Sequence, residues 1–294
     1  MDRCIAFAPK ILPVHDSFLP EGRSCPGCGQ ALAIRLISKA IGHHYRFPYG
    51  AVVPAVQVAA LPQALWNIFG KNQRSISDRR HKPFKNPTLI AAESGTAKDL
   101  LPLLQNAASA RKKLRIVCLF NEAGIERHGQ QHSTSVHPDE TKHFLDRIEY
   151  FYGLLETVRR MGLPFMATAT AAHPFDLIAK VEQMLESPGA SFLGILASCP
   201  TGCRYPAAQA RQALRRAVQT GFFPLYTLSH GRMILQTSKP RQPVEHYLKM
   251  HHAFLSVHQD TVAAVQHHVD AYQQLLTSET VQETQDSKVN RTDP

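Results

Sequence analysis

Residues 87–121 read PTLIAAESGTAKDLLPLLQNAASARKKLRIVCLFN, and the fold class follows from this stretch. Its two ends, residues 87–92 and 114–120, are short apolar segments of the length and composition typical of buried strands. The segment 97–110 between them has apolar residues at helical spacing. Two such strands joined by one helix predict a βαβ unit with parallel strands.

The same alternation continues on both sides of this unit. Strands are predicted in residues 50–60, 163–169 and 191–197, with helices at 31–41, 139–161, 175–185, 207–220, 244–255 and 261–275 and a strand–turn–strand at 224–235. The pattern predicts one α/β domain over residues 25–275, with a doubly wound, mostly parallel sheet and ligands at the carboxyl ends of the strands. Residues 1–24, with three prolines, predict an extended arm, and the polar residues 276–294 predict a disordered tail.

The composition limits the classes of partner. The chain has 294 residues and a formal net charge of +10. Its basic residues are dispersed and lack interleaved aromatics, which indicates a solvated surface or docking onto an acidic partner subunit and argues against nucleic acid. No apolar run reaches about 18 residues, so no membrane span is expected. The N-terminus has too short an apolar segment for a secretory signal, and we expect a cytoplasmic protein.

Two short segments each carry a pair of cysteines: residues 24–29 (SCPGCG) and 198–203 (SCPTGC). In a reducing compartment such pairs are more often metal or redox sites than disulfides. Four thiolates on two turns could bind one iron–sulfur cluster or one zinc ion, and the candidate ligands are Cys25, Cys28, Cys199 and Cys203. The alternative is two thiol pairs with no site between them.

Several segments follow one another in a familiar order: residues 18–29 (FLPEGRSCPGCG), 162–169 (GLPFMATA), 198–202 (SCPTG), 217–226 (AVQTGFFPLY) and 243–248 (PVEHYL). Together they resemble the β subunits of pyruvate:ferredoxin oxidoreductases and related 2-oxoacid:acceptor oxidoreductases, and the likeness runs from about residue 20 to residue 254. The resemblance implies a thiamine-diphosphate-binding fold. It also implies α- and γ-type partner subunits, a 2-oxoacid and coenzyme A as substrates, and a ferredoxin-like electron acceptor.

The resemblance also implies which residues hold the cofactors. In this family a Gly-Asp-Gly turn at one strand end and an Asn after the next strand bind thiamine diphosphate and its Mg²⁺. The matching segments are 92–95 (AESG) and 120–123 (FNEA), followed by the loop 128–133 (HGQQHS). We therefore expect Mg²⁺ at Glu93 and Asn121, and the predicted cofactor contacts are Glu93, Ser94, Gly95, Asn121, Ala123, Gly129 and Gln131.

Two departures from the family pattern leave other functions open. Ala92 and Ser94 put Cβ atoms where the family has glycines and the backbone must approach the cofactor closely. A third cysteine that the family carries is missing from residues 52–57, and Cys203 is the obvious replacement in a four-iron cluster. A non-catalytic assembly subunit that keeps only the fold, or a zinc-stabilised binding protein, are the alternatives.

The remaining cysteines and histidines are interpreted as follows. Cys4 is expected to be a surface thiol and Cys118 a buried strand residue. The histidine pairs at 43–44, 251–252 and 267–268 are interpreted as solvated faces, because adjacent helical residues point apart. His128 and His132, in the loop after Asn121, are the histidine pair that we would test first for an active role.

Overall fold

A computed structural model describes residues 25–41, 52–53, 88–93, 97–111, 113–122, 138–236, 242–252 and 258–289. Seven described strands form one sheet in the order β1-β2-β3-β5-β4-β6-β7. The strands are β1 (Val52–Val53), β2 (Thr88–Glu93), β3 (Leu114–Asn121), β4 (Phe165–Thr170), β5 (Ser191–Ala197), β6 (Leu225–Ser229) and β7 (Arg232–Gln236). The helices are α1 (Gly29–Ile41), α2 (Ala97–Ser109), α3 (Pro138–Arg160), α4 (Pro174–Glu186), α5 (Pro200–Cys203), α6 (Ala210–Gln219), α7 (Glu245–Leu248) and α8 (Gln259–Val289).

The βαβ unit predicted from residues 87–121 is confirmed. β2 and β3 are parallel neighbours, with Thr88 opposite Leu114 and Glu93 opposite Leu119, and α2 connects them. The middle of β3 is fully buried, as its continuous apolar run indicates. Strands β5 and β4 continue the parallel part of the sheet beyond β3. The predicted α/β class with a mostly parallel sheet is therefore correct.

One edge of the sheet is antiparallel. β6 runs antiparallel to β4, and β6 and β7 form the hairpin that the sequence predicts. Its turn places His230 (φ 51°) and Gly231 (φ 77°) in the left-handed region, which is the backbone geometry of tight hairpin turns. This hairpin makes the sheet mixed rather than wholly parallel.

Aromatic side chains fill the core between α3, the sheet and α8. Phe151 of α3 packs edge-on against Phe120 with ring centroids 4.8 Å apart, and it also stacks near Phe223. Tyr152 stacks on Tyr272 of α8 at 4.5 Å, and its hydroxyl donates to the carbonyl of Phe222 at 2.7 Å. Rings of this size bury large apolar areas and dominate core energetics.

Two buried cations stabilise α4 and its connection to β5. The Arg115 guanidinium donates to the carbonyls of Leu185, Ser187 and Gly189, which satisfies backbone acceptors just beyond the helix. Lys180 donates to the Thr168 carbonyl and to Asp176 and Gln236 side chains. Burial lowers the pKa of Lys180 while Asp176 opposes that shift. Both cations are thus part of the packing of the domain.

The structure differs from the sequence expectations in the C-terminal third. Helix α7 spans only Glu245–Leu248, whereas apolar spacing predicts helix over 244–255. Helix α8 extends to Val289 and so includes most of the segment 276–294 that the composition predicts to be disordered. Its first half is anchored by buried Val265, Val269 and Leu276, and extending an existing helix is far easier than starting one.

The limits of the predicted domain stay predictions, and the arm 1–24 lies outside the described residues. Among the described helices, none combines the length and apolar character needed to cross a membrane.

Candidate cysteine and cofactor site

The two cysteine turns lie directly against each other. The backbone N–H of Gly29 donates to the carbonyl of Ser198 at 2.9 Å, and a Cβ on Gly29 would lie 2.2 Å from the Ser198 nitrogen. Gly27 has φ +74°, and a Cβ there would lie 2.9 Å from the Cβ of Ala207. Only glycine permits this approach and this backbone conformation without strain. The two turns that carry the cysteine pairs, far apart in the chain, are therefore in direct backbone contact.

The thiols of the two turns are close enough to influence one another. Burial raises the pKa of Cys199, the charges of Cys28, Glu122 and Cys25 raise it further, and the Gly202 N–H opposes the shift. Cys25 is exposed and Cys28 and Cys199 are half-buried, and the five described cysteines form no disulfide with one another. The Cys199 thiol thus lies within electrostatic reach of Cys25 and Cys28, and a metal centre at these cysteines stays a prediction.

Cys203 lies deeper than the other three cysteines. It is 1% exposed and packs with Tyr205 and Ala213, while Cys199 touches the margin of that cluster. The N–H of Cys203 donates to the Cys199 carbonyl at 2.8 Å, because the two residues are one turn apart in α5. The ligand atoms of Glu122, Cys203 and His251 all lie within 4.8 Å of one another. Cys203 therefore has a second set of polar neighbours besides the other cysteines.

Glu122 is the functional candidate that sequence reasoning missed. Its carboxylate is buried and accepts hydrogen bonds from the Cys199 N–H (3.0 Å), the Tyr205 hydroxyl (2.5 Å) and the Tyr247 hydroxyl (3.1 Å). Burial raises the pKa of Glu122, and His251 and the three hydrogen bonds counteract that rise. The signal in the sequence is its place at a strand end directly after Asn121, where ligand-binding groups of parallel sheets collect.

The interpretation of the pair 251–252 as a solvated face is wrong for His251. His251 is 2% exposed, and its Nε2 lies 3.8 Å from Oε1 of Glu122. Its ring meets the Tyr247 ring edge-on at 4.7 Å, because the segment around α7 packs over the end of β3. His252 is exposed. Of the pair at 267–268, His267 is exposed and His268 half-buried.

The predicted magnesium ligands lie at the same edge of the sheet. Glu93 is the last residue of β2 and Asn121 the last residue of β3, and these strands are parallel neighbours. Glu93 pairs with Leu119, so Asn121 lies two residues further along the same edge. Oxygen atoms are the ligands that Mg²⁺ prefers, and its binding at Glu93 and Asn121 stays a prediction.

The other predicted contacts cannot be placed. Ser94, Gly95, Ala123, Gly129 and Gln131 lie outside the described residues, as do His128 and His132. All of these remain predictions. Cys4 and the pair 43–44 also lie outside that part of the chain. Cys118 is buried in β3 as expected, and burial raises the pKa of its thiol.

Known proteins provide a separate comparison. No protein-family model matches the chain. It is 27% identical over 293 residues to the pyruvate synthase subunit PorB of Methanocaldococcus jannaschii, covering 90% of this chain and 97% of that protein. It is 24% identical over 282 residues to the ketoisovalerate oxidoreductase subunit VorB of Pyrococcus abyssi, covering 87% and 90% respectively. The resemblance found in the sequence is thereby confirmed.

A solved structure is also similar to this chain. It is the 2-oxoglutarate:ferredoxin oxidoreductase from Magnetococcus marinus with 2-oxoglutarate, coenzyme A and succinyl-CoA bound. The sequences are 14% identical, the TM-score is 0.37, and the match covers 73% of this chain and 82% of that one.

Proposed function

We propose that this chain, a divergent homologue of the β subunits of 2-oxoacid:ferredoxin oxidoreductases, is itself the thiamine-diphosphate-binding subunit of such a complex. The observation that carries the proposal is the contact between the two cysteine turns beside the end of β3, where the Cys199 N–H donates to Glu122 and Asn121 precedes it. The proposed metal centre then lies beside the strand ends of β2 and β3 that would hold the cofactor. That is the arrangement that electron transfer out of a bound cofactor requires.

The cysteines would hold the electron-accepting group. Cys25, Cys28 and Cys199 would supply three thiolates, and Cys203 is the fourth ligand that the sequence predicts. Thiolates are the ligands of iron–sulfur clusters, and hydrogen bonds and burial around the sulfurs set the reduction potential. The exposed turn at Cys25 leaves one side of this centre accessible to a partner.

The edge of β2 and β3 would hold the organic cofactor and its magnesium ion. Glu93 and Asn121 would supply oxygen ligands to Mg²⁺, and residues 94–95, 123, 129 and 131 would contact the diphosphate. Thiamine diphosphate, when bound, supplies the carbanion chemistry that releases CO₂ from a 2-oxoacid. The buried middle of β3 would help to keep its Asn121 ligand in a fixed orientation.

Partner subunits complete this proposal. The relatives are named as subunits of a pyruvate synthase and of a ketoisovalerate oxidoreductase, so we expect this chain alone to be inactive. We propose α- and γ-type subunits, a ferredoxin-like acceptor, coenzyme A and a cytoplasmic location. The net charge of +10 suits docking onto an acidic partner.

The test uses the full chain purified without oxygen. We expect broad iron–sulfur absorbance, iron and labile sulfide on analysis, and heat released when thiamine diphosphate is added with Mg²⁺. Asn121→Ala should weaken cofactor binding by about tenfold or more, since it removes a metal ligand. Asn106→Ala, at an exposed position of α2, is the matched control and should bind normally.

The metal content distinguishes the alternatives. Zinc without sulfide would favour a zinc-stabilised binding protein, and a colourless, metal-free protein that shows no calorimetric response would indicate an assembly subunit. Cys25→Ser should remove iron, whereas Cys118→Ala, in the middle of β3, should retain it.

A further inference from the structure

Three buried side chains from distant parts of the chain meet beside the cysteine turns. They are Glu122 after β3, Cys203 at the end of α5, and His251 after α7, and their ligand atoms lie within 4.8 Å of one another. A carboxylate, a thiolate and an imidazole form a mixed set that zinc and its neighbours in the first transition row bind well. The family pattern read from the sequence does not include this set.

The distance between Glu122 Oε1 and His251 Nε2 is closer to that of two ligands on one ion than to that of a hydrogen bond. His251 Nε2 lies 3.8 Å from Glu122 Oε1, which is too long for a hydrogen bond. Zinc bonds of about 2.0–2.2 Å to nitrogen and oxygen place two such ligands of one tetrahedral ion about 3.3–3.5 Å apart. The observed separation is a few tenths of an ångström longer, so a small shift of either side chain would bring both atoms onto one metal.

The carboxylate is already oriented for this role. Oε2 of Glu122 accepts from the Cys199 N–H at 3.0 Å and from the Tyr205 hydroxyl at 2.5 Å, which fixes the plane of the group. Oε1 points toward His251 and accepts one further bond, from the Tyr247 hydroxyl at 3.1 Å. Partners that hold a ligating carboxylate in place typically change metal affinity by about 10–100-fold.

Burial adds an electrostatic reason for a cation. Glu122, Cys203 and His251 are all 2% exposed or less. A buried carboxylate beside a buried thiolate would be an unfavourable pair of anions, and a divalent ion would compensate both charges.

We propose that Glu122, Cys203 and His251 bind one divalent ion of the zinc class. This ion fastens residues 242–252 over the end of β3, next to Asn121. The assignment removes Cys203 from the predicted ligands of the iron–sulfur cluster and leaves that cluster to Cys25, Cys28 and Cys199. It does not depend on the proposed function, because it rests on these three side chains alone.

The test titrates Co²⁺ into the full chain carrying Cys25→Ser and Cys28→Ser, so that the outer turn cannot bind it. We expect one Co²⁺ per chain, a thiolate-to-cobalt absorption band and displacement by one Zn²⁺. Adding His251→Ala should weaken Co²⁺ binding by about 100-fold or more, since a direct ligand is worth at least as much as its supporting partners. Adding the neighbouring exposed His252→Ala should leave binding unchanged.

A second variant covers the case in which His251→Ala does not fold. Cys203→Ser should abolish the thiolate band while circular dichroism stays native. Absence of Co²⁺ binding in the double variant would overturn the proposal, as would equal affinities for the His251 and His252 variants. In the otherwise unchanged protein, a joint loss of iron and sulfide on Cys203→Ser would also overturn it, by placing Cys203 in the cluster. Failure of thiamine diphosphate to bind would instead count against the proposed function only.

Discussion

Two buried regions begin two residues apart, at the end of β3 and just beyond it, and differ in what holds them together. Phe120 enters the aromatic core with Phe151 and Phe223, whereas Glu122 enters a polar cluster with Tyr205 and His251. The aromatic core depends on buried area and close packing, which need no particular partner atom. The polar cluster depends on each donor meeting its acceptor, because an unmatched buried polar group is costly.

Tyr247 belongs to both regions. Its ring lies 4.6 Å from that of Phe222, and its hydroxyl donates to Glu122. One side chain therefore takes part in both the aromatic packing and the polar hydrogen bonds. The two regions should therefore respond differently to side-chain truncation, to a methyl group added at a close contact, and to pH.

The largest effect is expected in the aromatic core. Phe151→Ala removes a ring that is 3% exposed and contacts four other aromatic rings, so the free energy of unfolding should fall by about 3–5 kcal/mol. Denaturant titration followed by circular dichroism measures this loss. Phe175→Ala, at a position of α4 that is 37% exposed, is the control and should cost under about 1 kcal/mol. Equal losses would contradict the assignment of Phe151 to the core.

An intermediate loss of stability is expected at Gly29, where the two cysteine turns touch. Gly29→Ala would place a Cβ 2.2 Å from the Ser198 nitrogen and should separate the cysteine turns, at about 1–3 kcal/mol. Iron content should fall together with stability. Gly153→Ala is the matched control, because nothing lies within 4 Å of a Cβ there, and in the middle of α3 it should stabilise by about 0.5–1 kcal/mol. If Gly29→Ala retained its metal, metal binding would not require the contact between the two cysteine turns.

The smallest effects are expected in the pH dependence of stability of the metal-free protein, and they have opposite signs for Glu122 and Glu156. The pKa of Glu122 is raised by burial, so its contribution to stability is greatest below the ordinary value near 4.5 and weakens as pH rises through the folded pKa. The pKa of Glu156 is lowered, chiefly by Arg159, so its contribution is present above that value and is lost as pH falls through the folded pKa. As pH rises, the free energy of unfolding of Glu122→Gln should therefore increase relative to that of the parent protein.

Glu156→Gln should show the reverse trend. It should lose about 0.2–1 kcal/mol at neutral pH and nothing in acid, because Arg160 is exposed and Arg159 is half-buried, so solvent screens both ion pairs. Unfolding curves collected from about pH 2 to about pH 8 measure both variants together. Parallel trends for the two variants would mean that Glu122 is not in a buried polar environment.

The architecture was largely predictable from local patterns. The strands at 87–92, 114–120 and 191–197 are apolar runs that only a buried parallel sheet accommodates, and the hairpin at 224–235 has its own turn residues. The cysteine turns could also be identified, since two pairs at short spacing are visible in any window of a few residues. Cys118 was correctly expected in the core for the same reason.

The composition of the site needed the folded chain. Nothing near His251 or Glu122 in the sequence shows that residues 125 positions apart, Glu122 and Tyr247, share a hydrogen bond. A histidine beside another histidine just after a short helix is usually solvated, and the packing of residues 242–252 over β3 buries this one. Periodicity reports which face of an element is apolar, and it carries no information about which distant polar group will lie opposite. Hence the alternation of apolar segments accounts for the sheet and for the cysteines at its edge, whereas the surroundings of Cys203 follow from contacts that exist only once the ends of the domain have come together.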